Sequence, residues 1–324
     1  MANKITLDEI APLALPLLEA ETVLGSIVYR DADPHFKGGN GETISVRIPH
    51  VIEATESTGT DADIKDINET AVPIKLSATP RNLVKLTARE MTLEVRNFRD
   101  QVLVPSMAGT ARFIEKNIAA TLNKVTTDLS EDDAKKWAMD KKAPLKAVAK
   151  AAAEFTRREV ESNGRYLVIG PDMEEAFLNL PGLQEADKAG DANALRNGTL
   201  GRLMGFTVVV SPYVDHAVAL TRHAAALAVR APISMDTRTA RTETHNGYAQ
   251  MITLAHDVVR GADFMASTSF CGSTVVDPRR MIAFKLSEGT RSVQPQAAPT
   301  THPAPKFSEK LVKQVEDAKA AEAK

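Results

Sequence analysis

Glycine-rich turns that could bind phosphate occur at two places in this chain of 324 residues. Gly198, Gly201 and Gly205 lack the spacing of a dinucleotide-binding fingerprint, whose glycines follow a strand and open a helix. The segment Gly38–Gly41 lacks the lysine of a phosphate-binding loop. Both groups are therefore interpreted as turns, and no cofactor-binding residue is predicted.

Two groups of residues have the side-chain types of metal ligands, but neither has the pattern of a site. The acidic run consists of Asp61, Asp63 and Asp66. It suggests a calcium loop, but Lys65 stands where an oxygen ligand is needed. His216 and His223 would need a third ligand that the neighbouring sequence does not offer. No metal ligand is predicted.

Residues that could perform catalysis are scattered along the chain. Ser273 follows Cys271 closely, but its flanking residues do not form a nucleophile elbow, and Cys271 is better explained as a small buried apolar residue. Glu90 and Glu94 lie four residues apart, yet the arginines beside them favour a surface ion cluster. No catalytic residue is predicted, and we expect a protein that is not an enzyme.

The composition excludes several classes of protein. A net charge of −2 with 25% charged residues gives no strong overall field, so contact with nucleic acid should be weak and nonspecific. A single cysteine excludes an internal disulfide and fits a reducing compartment. No run of about 18 apolar residues occurs, so neither a membrane span nor a signal peptide is predicted.

The elements that must position any site begin with an extended ribbon from Thr43 to Thr87. Apolar and polar residues alternate near both of its ends, as expected of half-buried strands. The alternating apolar residues are Ile44, Val46 and Ile48, followed later by Val72, Ile74 and Leu76. The polar segment Glu53–Glu69 lies between them. An isolated two-stranded ribbon is marginally stable, so we expect a neighbouring subunit to supply the surface on which it lies.

A short helical pattern precedes the ribbon, from Leu7 to Leu24. Pro12 and Pro16 interrupt this pattern, and proline inside a helix removes a backbone donor and clashes with the preceding turn. We therefore expect short helical pieces or an extended arm. Three glycines at the base of the ribbon are candidates for a hinge, namely Gly38, Gly39 and Gly41.

A long amphipathic helix is predicted after the ribbon, from Asn97 to about Asp128. Asn97 is the expected N-cap, and Pro105 should bend or restart the helix near its beginning. The apolar stripe consists of Ala111, Ile114, Ile118, Leu122 and Val125. Glu115 is expected on another face, together with Arg112 and Lys116.

Beyond Ser130 the pattern becomes one of alternating helices and apolar strands, which is typical of an α/β domain. We expect a helix over Ala143–Asn163, a strand over Tyr166–Ile169, and a helix over Met173–Leu180 that Asp172 caps. Further buried segments or strands are expected at Gly205–Ser211, Ala224–Val229, Met251–Val259 and Met281–Leu286, the last two separated by a polar turn. Residues 294–305 predict an extended linker, and residues 307–324 predict a short charged helix.

Four segments of the chain resemble the major capsid proteins of tailed bacteriophages, specifically the group related to the P22 coat protein within the HK97-like fold. They are Ala14–Asp31 (ALPLLEAETVLGSIVYRD), Gly41–Pro49 (GETISVRIP), Leu167–Asp172 (LVIGPD) and Ala192–Pro212 (ANALRNGTLGRLMGFTVVVSP). None is a catalytic signature. The likeness rests on their order over most of the chain up to about Ser287.

The resemblance implies an α+β, HK97-like capsid fold with six parts. These are an N-terminal arm (1–35), an extended E-loop hairpin (36–92), a P-domain with the long spine helix (93–142), an α/β axial A-domain (143–248), return strands of the P-domain (249–288) and a Pro/Ala-rich C-terminal tail (289–324). It also places Lys65 and Lys75 in the ribbon, where a covalent bond between subunits could form.

The function implied by the resemblance is that of a major capsid protein. Pentamers and hexamers of such a protein form an icosahedral head that is assembled in the host cytoplasm and encloses double-stranded DNA. Its expected partners are a separate scaffolding protein, a portal and decoration proteins, and it needs no cofactor and no membrane. Two alternatives remain open: an encapsulin-like nanocompartment shell, and a soluble α/β enzyme with a ligand at the carboxyl end of the strand Tyr166–Ile169.

Overall fold

A computed structural model describes residues 7–30, 43–48, 70–86, 98–125, 138–139, 144–179, 201–233, 238–257 and 262–286. The helices are α1 (Leu7–Glu21), α2 (Leu24–Ile27), α3 (Val104–Val125), α4 (Pro144–Arg157) and α5 (Pro171–Leu178). The first seven strands are β1 (Thr43–Ile48), β2 (Thr70–Lys75), β3 (Arg81–Leu86), β4 (Ala138–Met139), β5 (Arg165–Ile169), β6 (Arg202–Leu203) and β7 (Phe206–Val210). The others are β8 (Ala217–Thr221), β9 (Ala225–Arg230), β10 (Ala240–His245), β11 (Tyr248–Asp257), β12 (Ala262–Thr268), β13 (Phe270–Val275) and β14 (Met281–Leu286).

Helix α1 is continuous, so the predicted interruption at Pro12 and Pro16 is wrong. Both prolines lie on the exposed side, whereas Ile10, Ala14 and Leu18 are buried in the main core. Each proline forfeits an amide hydrogen bond. Burial of the opposite apolar face stabilises the helix by about 25 cal/mol per Å² and offsets that loss.

The long helix forms as predicted but has an irregular start. A π-helical turn, Arg99–Leu103, precedes α3, and the winding becomes regular immediately before Pro105. Proline has no amide hydrogen, so a change of winding at this point leaves no donor unused. Pro105 thus marks the restart that was expected. The expected N-cap, Asn97, lies outside the described residues.

A six-stranded mixed sheet carries the α/β part of the fold, in the order β4–β14–β8–β5–β7–β6. Strand β5 lies between the parallel β7 and the antiparallel β8. One face packs on α4 and α5 through an apolar cluster that includes Phe155, Phe177, Phe206 and Phe284. The other face belongs to the main core, which also contains the stripe of α3.

Two boundaries of this part differ from the prediction. Helix α4 ends at Arg157 rather than Asn163, and Glu159 adopts a φ of 57°, which ends the winding. The N-cap of α5 is Gly170, not Asp172, and Pro171 occupies the first turn. A Cβ at position 170 would collide with the carbonyl oxygen of Val214, so only glycine fits there.

A four-stranded antiparallel sheet, β10–β11–β12–β3, lies beside α1 and α3. Only its strand β11 is predicted as such from the sequence. The strands β8, β10, β12 and β13 are not predicted from the sequence, although the structure contains all four. Polar residues obscure the alternation in β10 (ARTETH), while β12 and β13 join at Ser269 without a marked turn. Cross-strand pairing stabilises such strands, and that pairing has no local signature.

The base of the ribbon packs on its own chain, so the expectation that a neighbouring subunit supplies this surface is wrong for the described part. Strands β1 and β2 pair in register, with Ile44 opposite Ile74, and both side chains are buried against Ala226 and Ala228 of β9. Strand β3 also joins a sheet within the chain. The polar segment Glu53–Glu69 and the proposed hinge glycines lie outside the described residues.

The described residues all belong to one unit, Met1–Gly289. The predicted linker and charged helix of residues 294–324 lie outside the described part of the chain. Among the described helices, none combines the length and apolar character needed to cross a membrane.

Candidate functional site at the long helix

Helix α3 contacts several other parts of the chain through one buried stripe. Met107, Ala111, Ile114, Ile118 and Leu122 recur every three or four residues, and each is at most 1% exposed. Around this helix lie α1, α2, β3 and β13. We call α3 together with these four elements the long-helix junction. Because the junction joins the N-terminal segment, the antiparallel sheet and the ribbon base, it decides how they are positioned.

Glu115 is the one acidic residue of α3, and it is buried, so the expectation that it lies on a face other than the apolar one is wrong. Its Oε2 accepts a hydrogen bond from the Leu24 amide at 3.1 Å, and its Oε1 accepts one from the Gly25 amide at 3.2 Å. Both donors lie in the first turn of α2, where amides have no partner within the helix. Burial raises the pKa of Glu115, and the amide bonds counteract part of that rise.

A second polar contact holds the N-terminal segment to β11. The hydroxyl groups of Thr22 and Tyr248 lie 2.7 Å apart and share a hydrogen bond, and burial raises the pKa of Tyr248. The guanidinium of Arg30 lies 5.0 Å from the centre of the Tyr248 ring. Glu19 accepts hydrogen bonds from Asn246 Nδ2 at 3.0 and 3.2 Å. The segment α1–α2 is therefore fastened at both α3 and the β10–β11 turn.

Asn82 ties strand β3 to the first half of α3. Its side-chain amide donates to the Ser106 carbonyl oxygen at 2.6 Å and to Thr110 Oγ1 at 2.9 Å. Thr110 Oγ1 also donates to the Ser106 carbonyl oxygen, at 3.2 Å. The three groups form a closed set that fixes the register of the sheet on the helix.

Ser273 ties strand β13 to the second half of α3. Its hydroxyl donates to Asn117 Oδ1 at 2.8 Å and lies 2.7 Å from the Thr121 hydroxyl. These partners are an amide and an alcohol, and neither can act as a general base towards a serine. Ser273 therefore acts as a connecting residue in this fold.

The ribbon base meets β13 at very close range. A Cβ at Gly272 would collide with the Lys75 carbonyl oxygen, so only glycine allows β2 to approach this strand. Two hydrogen bonds between Ala78 and Cys271, of 2.8 and 3.1 Å, hold the chain just beyond β2. The ribbon thus leaves the core from a rigid attachment.

The other residues whose side chains could take part in catalysis or metal binding are dispersed. Burial raises the pKa of the Cys271 thiol to about 12, so the reactive thiolate is not formed near neutral pH. The His223 ring lies 5.4 Å from the Tyr29 ring. Within the described residues, no group of three or more metal-ligating side chains comes together. Lys75 is exposed on β2, whereas Lys65 and the acidic run lie outside the described residues.

Sequence reasoning missed the two side chains that matter most at the junction. Glu115 directly follows Ile114 and lies four residues after Ala111, so its spacing does place it at the edge of the buried stripe. The burial of Glu115 could have been predicted from that spacing. Asn82 has no such signal, because its partners are contributed by a distant helix.

Comparisons with known proteins agree on one group. A family model described as phage capsid protein matches residues 89–282, which is more than half of the chain. No curated protein matches the chain.

Solved structures also resemble the fold. A structure from Mycobacterium phage Che8 is 21% identical, with a TM-score of 0.52, and the match covers 81% of this chain and 90% of that one. The capsid of cyanophage P-SCSP1u is 15% identical, with a TM-score of 0.52 and coverages of 81% and 86%. The mature capsid of bacteriophage PhiM1 is 12% identical, with a TM-score of 0.53 and coverages of 82% and 87%.

Proposed function

The chain belongs to the phage capsid protein family and is a major capsid protein that forms the shell, and from this premise we propose how its parts serve assembly. The fold is HK97-like. We propose that the shell is built from pentamers and hexamers of this chain and encloses double-stranded DNA. The family match over residues 89–282 carries the proposal.

Five of the six sequence-defined parts have proposed roles in the shell. Residues 1–35 act as the N-terminal arm, 36–92 as the E-loop, 93–142 and 249–288 as the P-domain, and 143–248 as the axial A-domain. In this scheme α3 is the spine helix, and the long-helix junction is the rigid part that is common to pentamers and hexamers. The contacts of Glu115, Asn82 and Ser273 support such rigidity, because each fixes one neighbouring element on α3.

The tip of the ribbon, residues 49–69, has the proposed role of reaching a neighbouring copy. Its base is anchored within the chain by Gly272 and by the buried pair Ile44 and Ile74. Weak contacts repeated around a closed shell then add to a stable whole, because later contacts become effectively intramolecular.

The proposed partners follow from the same function. Copies of the chain are the main partner, and a separate scaffolding protein, a portal and decoration proteins are proposed as others. Assembly is proposed to occur in the host cytoplasm. The segments Ala14–Asp31 and Ala192–Pro212 support placing the chain in the P22-like group of the family. We propose no catalytic role, and the amide and hydroxyl surroundings of Ser273 support this.

The experiment that tests the proposal replaces most of the ribbon tip. In one variant, residues Glu53–Glu69 are exchanged for a Gly/Ser segment of equal length, and in a control the same number of residues is exchanged in the tail after Thr290. Electron microscopy and sedimentation should show megadalton shells for the unchanged protein and the tail control. The tip variant should remain as folded small species. A small oligomer from the unchanged protein under all assembly conditions would contradict the proposal.

A further inference from the structure

Three buried polar side chains of the four-stranded sheet have no hydrogen-bond partner among the described residues. They are Gln250 on β11, Ser267 on β12 and Ser269 immediately after β12, and each is at most 2% exposed. The atoms concerned are Nε2 and Oε1 of Gln250 and the Oγ of each serine. Buried polar groups in folded proteins nearly always form hydrogen bonds, because an unpaired group has lost its contacts with bulk water without replacement. These four atoms therefore need a partner that the described chain does not supply.

The register of the sheet brings these three side chains together on its inner face. Ser267 lies opposite Ile252, and Gln250 and Ser269 stand two residues further along the same antiparallel pair of strands. Residues two apart on a strand point to the same face of a sheet. Ile252 belongs to the main core together with the stripe of α3, so the three polar side chains also face the core. Side chains on opposite strands have Cβ atoms about 4.5–5.5 Å apart, a separation that one water molecule can bridge.

The part of α3 beside these residues is also polar and has small side chains. Asn82 lies opposite Ser267 on β3, and its side-chain amide donates to the Ser106 carbonyl oxygen and to Thr110 Oγ1. Gly109 faces the same amide, and a Cβ at this position would lie 3.4 Å from Asn82 Nδ2. Serine, threonine and glycine take the place of large apolar residues here, which leaves room beside the polar groups. Room and polar partners are the two conditions for a buried water molecule.

We propose that Gln250, Ser267 and Ser269, which we call the polar layer, form a binding site for internal water between the sheet and the helices packed on it. The Gln250 carboxamide has an NH₂ donor and an acceptor oxygen, and each serine hydroxyl can donate and accept. Water can also donate and accept, so it satisfies polar atoms that do not reach one another. The layer itself is neutral, so a bound ion would have no opposite charge to compensate it there. The chemistry of the layer therefore selects water over a metal ion or an anion.

Internal water at this place makes the polar layer act as one unit. A water-mediated hydrogen bond is nearly as favourable as a direct one, so it links β11 to β12 and adds to the direct bonds of Asn82 to α3. Removal of one member leaves the water and the other members with an unpaired group, so the effects of substitutions in the layer depend on one another. The inference concerns a single folded chain, and it does not depend on the proposed function.

The test measures the urea midpoint of unfolding of the unassembled full-length protein for Gln250→Met, Ser267→Ala, Ser269→Ala and the triple variant. Each single substitution should lower the midpoint by about 0.3 M, because it removes one hydrogen-bonding group from the bound water. The triple variant should lower the midpoint by less than the sum of the three, because it removes the polar groups together with their need for water. In a dry layer the loss of an unpaired hydroxyl would raise the midpoint, so an increase overturns the inference, as do additive effects.

A matched control combines Gln250→Met with Ser211→Ala. Ser211 is equally buried but follows β7 in the other sheet, where its Oγ accepts a hydrogen bond from the Tyr213 amide at 3.4 Å. These two effects should add, and a deviation as large as that within the layer overturns the inference, because the coupling would not be local.

A crystallographic or electron-microscopy map that resolves ordered water provides the direct measurement. Density for water within hydrogen-bond distance of Gln250 and of at least one of the two serines is the expected result. A direct hydrogen bond between Gln250 and Ser269 with no water beside them overturns the inference, even where the substitutions are coupled.

Discussion

The two faces of the six-stranded sheet are held in different ways. On the face toward α4 and α5, apolar side chains such as Phe155 and Phe177 interlock and need no hydrogen bonds. On the side of α3, apolar packing is supplemented by polar contacts that fix α2, β3 and β13 on this helix, through the buried Glu115 and the part-buried Asn82 and Ser273. Apolar packing is non-directional, whereas a hydrogen bond fixes a distance and an angle. The comparison indicates that the α3 side is built for orientation and the α4 side for stability.

The largest effect is expected from a substitution in the apolar cluster between the sheet and α4. Phe155→Ala should lower the free energy of unfolding by about 3–5 kcal/mol, because it leaves a cavity where a fully buried ring touched Phe206 and its neighbours. Urea unfolding of the unassembled protein measures this loss. Phe155→Leu is the matched control and should cost less than about 1.5 kcal/mol. A similar small cost for both variants would show that the cluster is loosely packed.

An intermediate effect is expected from the polar side. Glu115→Ala leaves the buried amides of Leu24 and Gly25 without their acceptor, and each orphaned amide costs about 1–3 kcal/mol. The variant should also release the N-terminal segment, so limited proteolysis should cut within residues 7–30 well before it cuts α4. Uniform proteolysis along the chain would mean that Glu115 does not act on this segment in particular.

The smallest expected effect is a change in how the free energy of unfolding depends on pH. Because burial raises the pKa of Glu115 above its ordinary value of 4.5, the folded protein holds this proton at a pH where the unfolded chain has lost it. The contribution of Glu115 to stability is therefore greatest below pH 4.5 and declines as the pH rises through its folded pKa. Glu115→Gln should abolish this decline in the free energy of unfolding, whereas Glu175→Gln, at an exposed position of α5, should retain it. Parallel curves for the unchanged protein and Glu115→Gln would contradict the expectation.

The long helix and the strands with strong alternation could be predicted from local pattern. The stripe of α3 repeats every three to four residues, and Tyr166–Ile169 is a continuous apolar strand. The burial of both can therefore be predicted from the sequence. Strand β10 could not be predicted in this way, because its residues are mostly polar and its pairing with β11 stabilises it. The prolines of α1 misled the prediction for a related reason, since the packing that offsets them is distant in sequence.

The residues of the junction show the same division. The position of Glu115 beside the buried stripe was readable from its spacing, but its partners in α2 lie about ninety residues away in the chain. The attachment of the ribbon depends on Ala226, Ala228 and Gly272, whose small size has no meaning until β2 lies against them. The sequence around a small residue does not predict such a contact, because the small side chain only leaves space for the strand that packs on it.

The amino-acid sequence by itself determined the periodic elements, the absence of an internal disulfide and the order of segments that resembles phage capsid proteins. Periodicity is local, and burial of one face follows directly from it. Only the tertiary structure decided that the ribbon base packs on its own chain, that α1 stays helical through two prolines, and that Glu115 faces inward. Each of these depends on the energy of contacts between distant segments, which no local pattern contains.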